Sequence, residues 1–188
     1  MAVEAEVPVP TDARRKEDDM KSTLIILRGN SASGKTTIAN RLQEHYGHGT
    51  LLVSQDTVRR NMLKVHDRDG NLSIELIRQI TEYGKGKCEV VILEGILSSA
   101  RYGDMLKDLI EYFNGRALVY YFDLTFEETL RRHRTKGADF GEELLARWWI
   151  PKDFLGVQGE TAIGAELSED EVLDRIVKKV EAAQGDCI

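Results

Sequence analysis

The chain has 188 residues, 41% apolar, 31% charged and 7% aromatic, the mix of one ordinary globular domain whose core needs no disulfide staple. Two cysteines, Cys88 and Cys187, exclude a disulfide framework and predict a reducing, cytosolic setting; no apolar run approaches the ~18 residues of a membrane span, and the charged first twenty residues do not read as a signal peptide. The formal charge of −6 sits at the ends, with six acidic and three basic side chains in residues 1–20 and seven against three in 166–188. The body therefore has no broad basic face of the kind a long nucleic acid requires.

Residues 1–20 hold Pro8, Pro10 and a charge run from Arg14 to Asp19 without apolar periodicity, and read as a disordered tail. Residues 21–188 read as one domain in which short β-rich runs alternate with helical patterns. Strands are predicted over 23–28, 50–54, 89–94 and 117–123, with a weak one over 160–163. Between them lie helices over 34–46 (Ile38, Leu42, Tyr46), 72–83 (Ile74, Ile77, Ile80) and 104–113 (Met105, Leu109, Phe113), and a last one carries Val172, Ile176 and Val180. Two capping boxes mark helix starts, Thr125-Phe126-Glu127-Glu128 and Ser168-Glu169-Asp170-Glu171. Apolar strands separated by helices predict an α/β, three-layer domain with a parallel sheet covered on both faces.

Directly after the first strand stands Gly29-Asn30-Ser31-Ala32-Ser33-Gly34-Lys35-Thr36-Thr37, G-x-x-x-x-G-K-T between a strand and a helix. Glycines let the backbone N–H groups turn toward phosphates, and the helix that follows adds its positive end. Lys35 brings a point charge to the β/γ oxygens, and the Thr36 hydroxyl is placed to ligate Mg²⁺. This nine-residue loop predicts nucleotide binding.

Three further features surround it. The second strand ends Ser54-Gln55-Asp56, followed by Thr57-Val58-Arg59-Arg60. Ligands of open α/β sheets sit at the carboxyl ends of the strands, so Asp56 is placed either to take a proton from an acceptor hydroxyl or to cap the next helix. The third strand, Val90-Val91-Ile92-Leu93-Glu94, closes an apolar run with a carboxylate that suits Mg²⁺ or caps the loop behind it. The basic run Arg131-Arg132-His133-Arg134-Thr135-Lys136 suits a small anion or complements a helix end. Phe140, Leu144 and Trp148, with Leu145 and Trp149, form a helical stripe ended by Pro151, expected either to pack inward as the lid helix or, through Trp148 and Trp149, to stack on a planar substrate. No zinc spacing, Cys–His pair or nucleophilic serine motif accompanies these.

In these motifs, over nearly all of residues 22–183, the chain resembles the small P-loop kinases: nucleoside monophosphate kinases, gluconate kinase-like enzymes, chloramphenicol phosphotransferase and, most of all, zeta toxin and uridine kinase-like proteins. The resemblance implies a P-loop kinase fold with five parallel strands in the order 2-3-1-4-5 and a helical lid at about 131–155. It implies ATP and Mg²⁺ as cofactors, and transfer of the γ-phosphate to a hydroxyl of a nucleoside, an antibiotic or a nucleotide-sugar. Relatives carry an Asp where Asp56 stands. Arg59 and Arg60 follow it, of which one is expected to face inward toward an anionic part of the acceptor, with 98–102 as the facing loop. The 131–136 run looks like the lid stretch whose arginine neutralises the transferred phosphoryl group, with Arg132 ahead of Arg131. Thr36 and Glu94 would hold the metal, and 152–156 with 160–163 would run beside the adenine.

A guanine-nucleotide switch is not expected, since Glu94-Gly95-Ile96-Leu97 is not D-x-x-G and Asp139 lies one residue too far beyond Thr135-Lys136. An AAA-type motor is not expected either, for want of a helical subdomain. Two other readings stay open: a nucleotide-dependent binding or switch ATPase without an acceptor, and a polynucleotide 5′-hydroxyl kinase, against which the acidic balance counts. No feature bears on oligomeric state.

Overall fold

β1 (Thr23–Gly29) is buried at every position, and its apolar run explains why. Leu24, Ile25, Ile26 and Leu27 are all 0% exposed, which only a central strand flanked on both edges and both faces can achieve. It pairs in parallel with β3 (Val90–Gly95) on one side and β4 (Ala117–Phe122) on the other, so that Ile25 lies beside both Ile92 and Leu118. β2 (Leu51–Ser54) joins β3 and β5 (Thr161–Ile163) joins β4, giving five parallel strands in the order 2-3-1-4-5. This computed structural model describes residues 21–135 and 141–185; the predicted tail over 1–20, and Lys136 and Phe140 of the lid, lie outside them.

Side-chain alternation along β1 divides the core in two. Leu24 and Ile26 face α2 (Leu72–Gly84) and α3 (Ser99–Tyr112), where they meet Ile77, Leu106 and Leu109. Ile25 and Leu27 face α1 (Lys35–Tyr46) and α6 (Glu169–Gly185), where they meet Ile38, Leu42, Val172 and Ile176. Truncating one of these to alanine would cost about 2–5 kcal/mol. Between β4 and β5 the chain forms a pair of lid helices, α4 (Phe126–Thr135) and α5 (Glu142–Trp148).

The elements match the sequence to within a residue or two, apart from three differences. α3 begins at Ser99, not 104, because its first turn is polar until Tyr102 and shows no apolar periodicity. The expected facing loop over 98–102 is thus mostly helix, and Tyr102 is fully buried. After Asp56 the chain makes a π-helical turn, Thr57–Met62, closed by Leu63 N–H to the Val58 carbonyl at 3.1 Å. The lid stripe is turned the other way. Leu145 is the buried residue, while Leu144 and Trp148 are 39% and 38% exposed.

Candidate active site

The loop between β1 and α1 owes its path to two glycines. Gly29 has φ +140° and packs so closely that a Cβ would lie 2.8 Å from the Phe122 carbonyl oxygen; Gly34 has φ +100° where the helix begins. Lys35, 6% exposed, folds its ammonium back into this loop, donating to the Asn30 carbonyl at 2.7 Å and the Ser33 hydroxyl at 3.1 Å. Those are weak enough partners for a nucleotide's phosphates to replace.

Thr36, exposed on the first turn of α1, donates from Oγ1 to Oε2 of Glu94 at 3.1 Å. The hydroxyl and the carboxylate that the sequence assigned to a metal therefore stand side by side, where the end of β3 meets the phosphate loop. Among the described residues no group of three or more His, Cys, Asp or Glu could hold an ion by itself. A pair of hard oxygens next to a phosphate cradle fits Mg²⁺, which keeps its waters and takes most other ligands from the substrate.

On the lid, Arg132 donates from Nη1 to the Ser33 carbonyl at 3.1 Å and from Nε to Glu128 at 2.6 Å. Its Nη1 also lies 3.6 Å from where a Cβ on Gly34 would be. Arg131 turns outward, 68% exposed, in a bidentate pair with the same Glu128. These two guanidinium partners hold the Glu128 carboxyl well below its usual range, at about 2.

At the end of β2, Asp56 does not cap the π turn with its side chain. Its Oδ1 accepts from Arg59 at 2.9 Å and Arg60 at 3.1 Å. The expectation that one of these arginines would point away is corrected. The wider π winding brings both onto one cavity of about 450 Å³, with Ser98, Arg101, Arg147 and Trp148 on its other walls. Of the expected 98–102 stretch only Ser98 and Arg101 reach it; Tyr102 points into the core and donates to Asp67 at 2.8 Å.

Two features were missed. Arg28, the last side chain before the loop, is 0% exposed. It donates twice to the Leu97 carbonyl, at 3.1 and 3.0 Å, and pairs with Asp153 at 3.1 Å and Glu160 at 3.2 Å. Burial pulls its pKa down while the two carboxylates pull it back up; removing one partner of such a group costs about 3–5 kcal/mol. Asn30, assigned to the phosphates, also clamps the chain after α5, donating to the Ile150 carbonyl at 2.7 Å and accepting from its N–H at 2.8 Å. Asp153 and Glu160 lie within the stretches expected beside the adenine, and their side chains serve Arg28. The signal for Arg28 was its charge inside an apolar strand; nothing foretold the Asn30 clamp.

The chain matches the AAA domain family AAA_33 over residues 24–143, more than half its length. No curated protein sequence matches it. Among solved structures it is similar to a gluconokinase from Sinorhizobium meliloti 1021 (14% identity, TM-score 0.63, covering 90% of this chain and 99% of that one). It is similar to the APS kinase of Mycobacterium tuberculosis solved with AMPPNP and APS (16%, 0.63, 86% and 98%). It is likewise similar to a tunicamycin resistance protein from Deinococcus radiodurans (19%, 0.59, 85% and 95%). The chain thus belongs to the AAA_33 family, and its fold is that of the small P-loop kinases.

Proposed function

We propose that this protein is an ATP- and Mg²⁺-dependent kinase that moves the γ-phosphate to a hydroxyl of a small molecule. The observation that carries the reading is convergence on one loop: Lys35 within it, Thr36 and Glu94 at its mouth, Arg132 over it, and Asp56 at the next strand end but one. Loop amides and Lys35 bind the phosphates. Thr36 and Glu94 would hold the Mg²⁺, which when bound neutralises charge on the β- and γ-oxygens. Asp56 has one oxygen taken by Arg59 and Arg60. Its Oδ2, without a partner among the described residues, takes the acceptor's proton. The acceptor oxygen then bonds to the γ-phosphorus as the bond to the ADP oxygen breaks, and Arg132 stabilises the spreading charge. The similar gluconokinase and APS kinase support a small-molecule acceptor.

Lys35→Ala should fold normally yet lose nucleotide affinity and turnover; unchanged ATP binding in calorimetry would overturn the reading. Asp56→Asn should keep ATP binding and slow transfer by ~10²–10⁴. The switch reading forecasts no acceptor effect, since its ADP release would not rise when any small hydroxyl compound is added.

A further inference from the structure

Resting on that kinase reading, we propose that the cavity beside Asp56 is built for an acceptor that already bears a phosphate ester. Its walls bring together Arg59 and Arg60 of the π turn, Arg68 of the loop before α2, Arg101 of α3 and Arg147 of α5. A solvated helix face would present arginines from one element. Here four separate segments contribute five arginines to the walls of a volume of about 450 Å³, the size of a small-metabolite site.

Charge balance selects the ligand. Asp56 serves Arg59 and Arg60, and Asp67 and Asp69 both serve Arg101, at 3.6 and 3.0 Å. Three carboxylates against five arginines leave an excess of two positive charges, and Arg68 and Arg147 have no ion pair among the described residues. A carboxylate needs one guanidinium fork, whereas a phosphate ester, a dianion with three acceptor oxygens, takes two. Two buried polar atoms at the same wall also lack partners there: the hydroxyl of Ser98, a residue 3% exposed, and Nε of Arg59. Trp148, Ile96 and Ile150 supply apolar surface for the rest of the molecule. Ile150 is the residue that Asn30 clamps to the phosphate loop, so this wall of the cavity is tied to the loop.

The test fills the loop first. The protein with saturating AMPPNP and Mg²⁺ is titrated with inorganic phosphate, ribose 5-phosphate, ribose and gluconate in a calorimeter. Expected is binding of the two phosphate probes at least tenfold tighter than ribose or gluconate. Arg147→Ala and Arg68→Ala, two variants without ion pairs to lose, should each weaken ribose 5-phosphate at least tenfold and move AMPPNP affinity less than twofold. Ribose or gluconate binding as well as ribose 5-phosphate, or phosphate affinity indifferent to both variants, would overturn the inference. If AMPPNP itself fails to bind, the kinase reading falls instead. The same four titrations on the bare protein then decide the anion site alone.

Discussion

The two capping boxes share a sequence pattern and end up doing different things. At α6, Ser168 and Glu171 close on each other: the Glu171 carboxylate accepts from the Ser168 N–H and hydroxyl at 2.8 Å each, and the Ser168 hydroxyl accepts from the Glu171 N–H at 3.3 Å. At α4 only half forms. Thr125 Oγ1 accepts from the Glu128 N–H at 3.2 Å, but the Glu128 carboxylate leaves to hold Arg131 and Arg132. The cause is what stands three and four residues on. Glu128 meets two arginines, whereas Glu171 meets Asp174, which repels it, and Arg175. Backbone capping is a weak bidder against two guanidinium groups. A local motif thus reports a helix start faithfully and the fate of its side chain poorly: one box is a staple, the other a mount for a cation held against the loop between β1 and α1.

The proposed difference can be broken at its strongest point first. Arg132→Ala should slow phosphoryl transfer by ~10³ or more while leaving ATP affinity nearly intact; a rate within tenfold of the parent, in a coupled ADP assay, would reduce the α4 box to a surface ion pair. Glu128→Gln keeps a residue able to close a capping box but releases the arginines. It should cost roughly 10–100-fold in rate, as expected for a misplaced group, with a small drop in melting temperature at neutral pH. Glu171→Ala should behave in the opposite way, losing ~1 kcal/mol of stability, about 2–4 °C in a thermal melt, and no rate. The smallest effect is acidic. With its folded pKa near 2 and its ordinary value at 4.5, Glu128 contributes stability above pH 4.5 that fades as pH falls from there toward 2. The gap in melting temperature between the parent and Glu128→Gln should close over that window; a gap that stays constant would show that the charge of Glu128 is not what holds the lid.

Much of the fold was legible because apolar runs and periodicity report burial directly. β1, α1 and α6 were visible at Leu24–Leu27, Ile38–Leu42 and Val172–Val180, and the phosphate loop at its glycines and Lys35. What stayed hidden depends on winding or on distant partners. The π turn rotates Arg59 and Arg60 onto one side, a change of pitch that no residue pattern announces. The lid stripe has apolar residues on two faces, so its periodicity did not say which one the sheet would cover, and Leu145 won. Asn30 reads as a phosphate-loop residue until Ile150, far along the chain, is placed against it.

Arg28 carries a consequence beyond the site. Its guanidinium is tied to the Leu97 carbonyl and to the carboxylates of Asp153 and Glu160, and lifting 153–160 away would strand a fully buried cation. That stretch, which holds no helix or strand, is therefore bound to open only when the central strand does. In native-state hydrogen exchange the amides of Leu155 and Gly156, which donate to Glu160 at 3.0 and 2.9 Å, belong with those of Ile25 and Ile26 in the slowest-exchanging unit. The protection map should run off the edge of the sheet and continue along a loop.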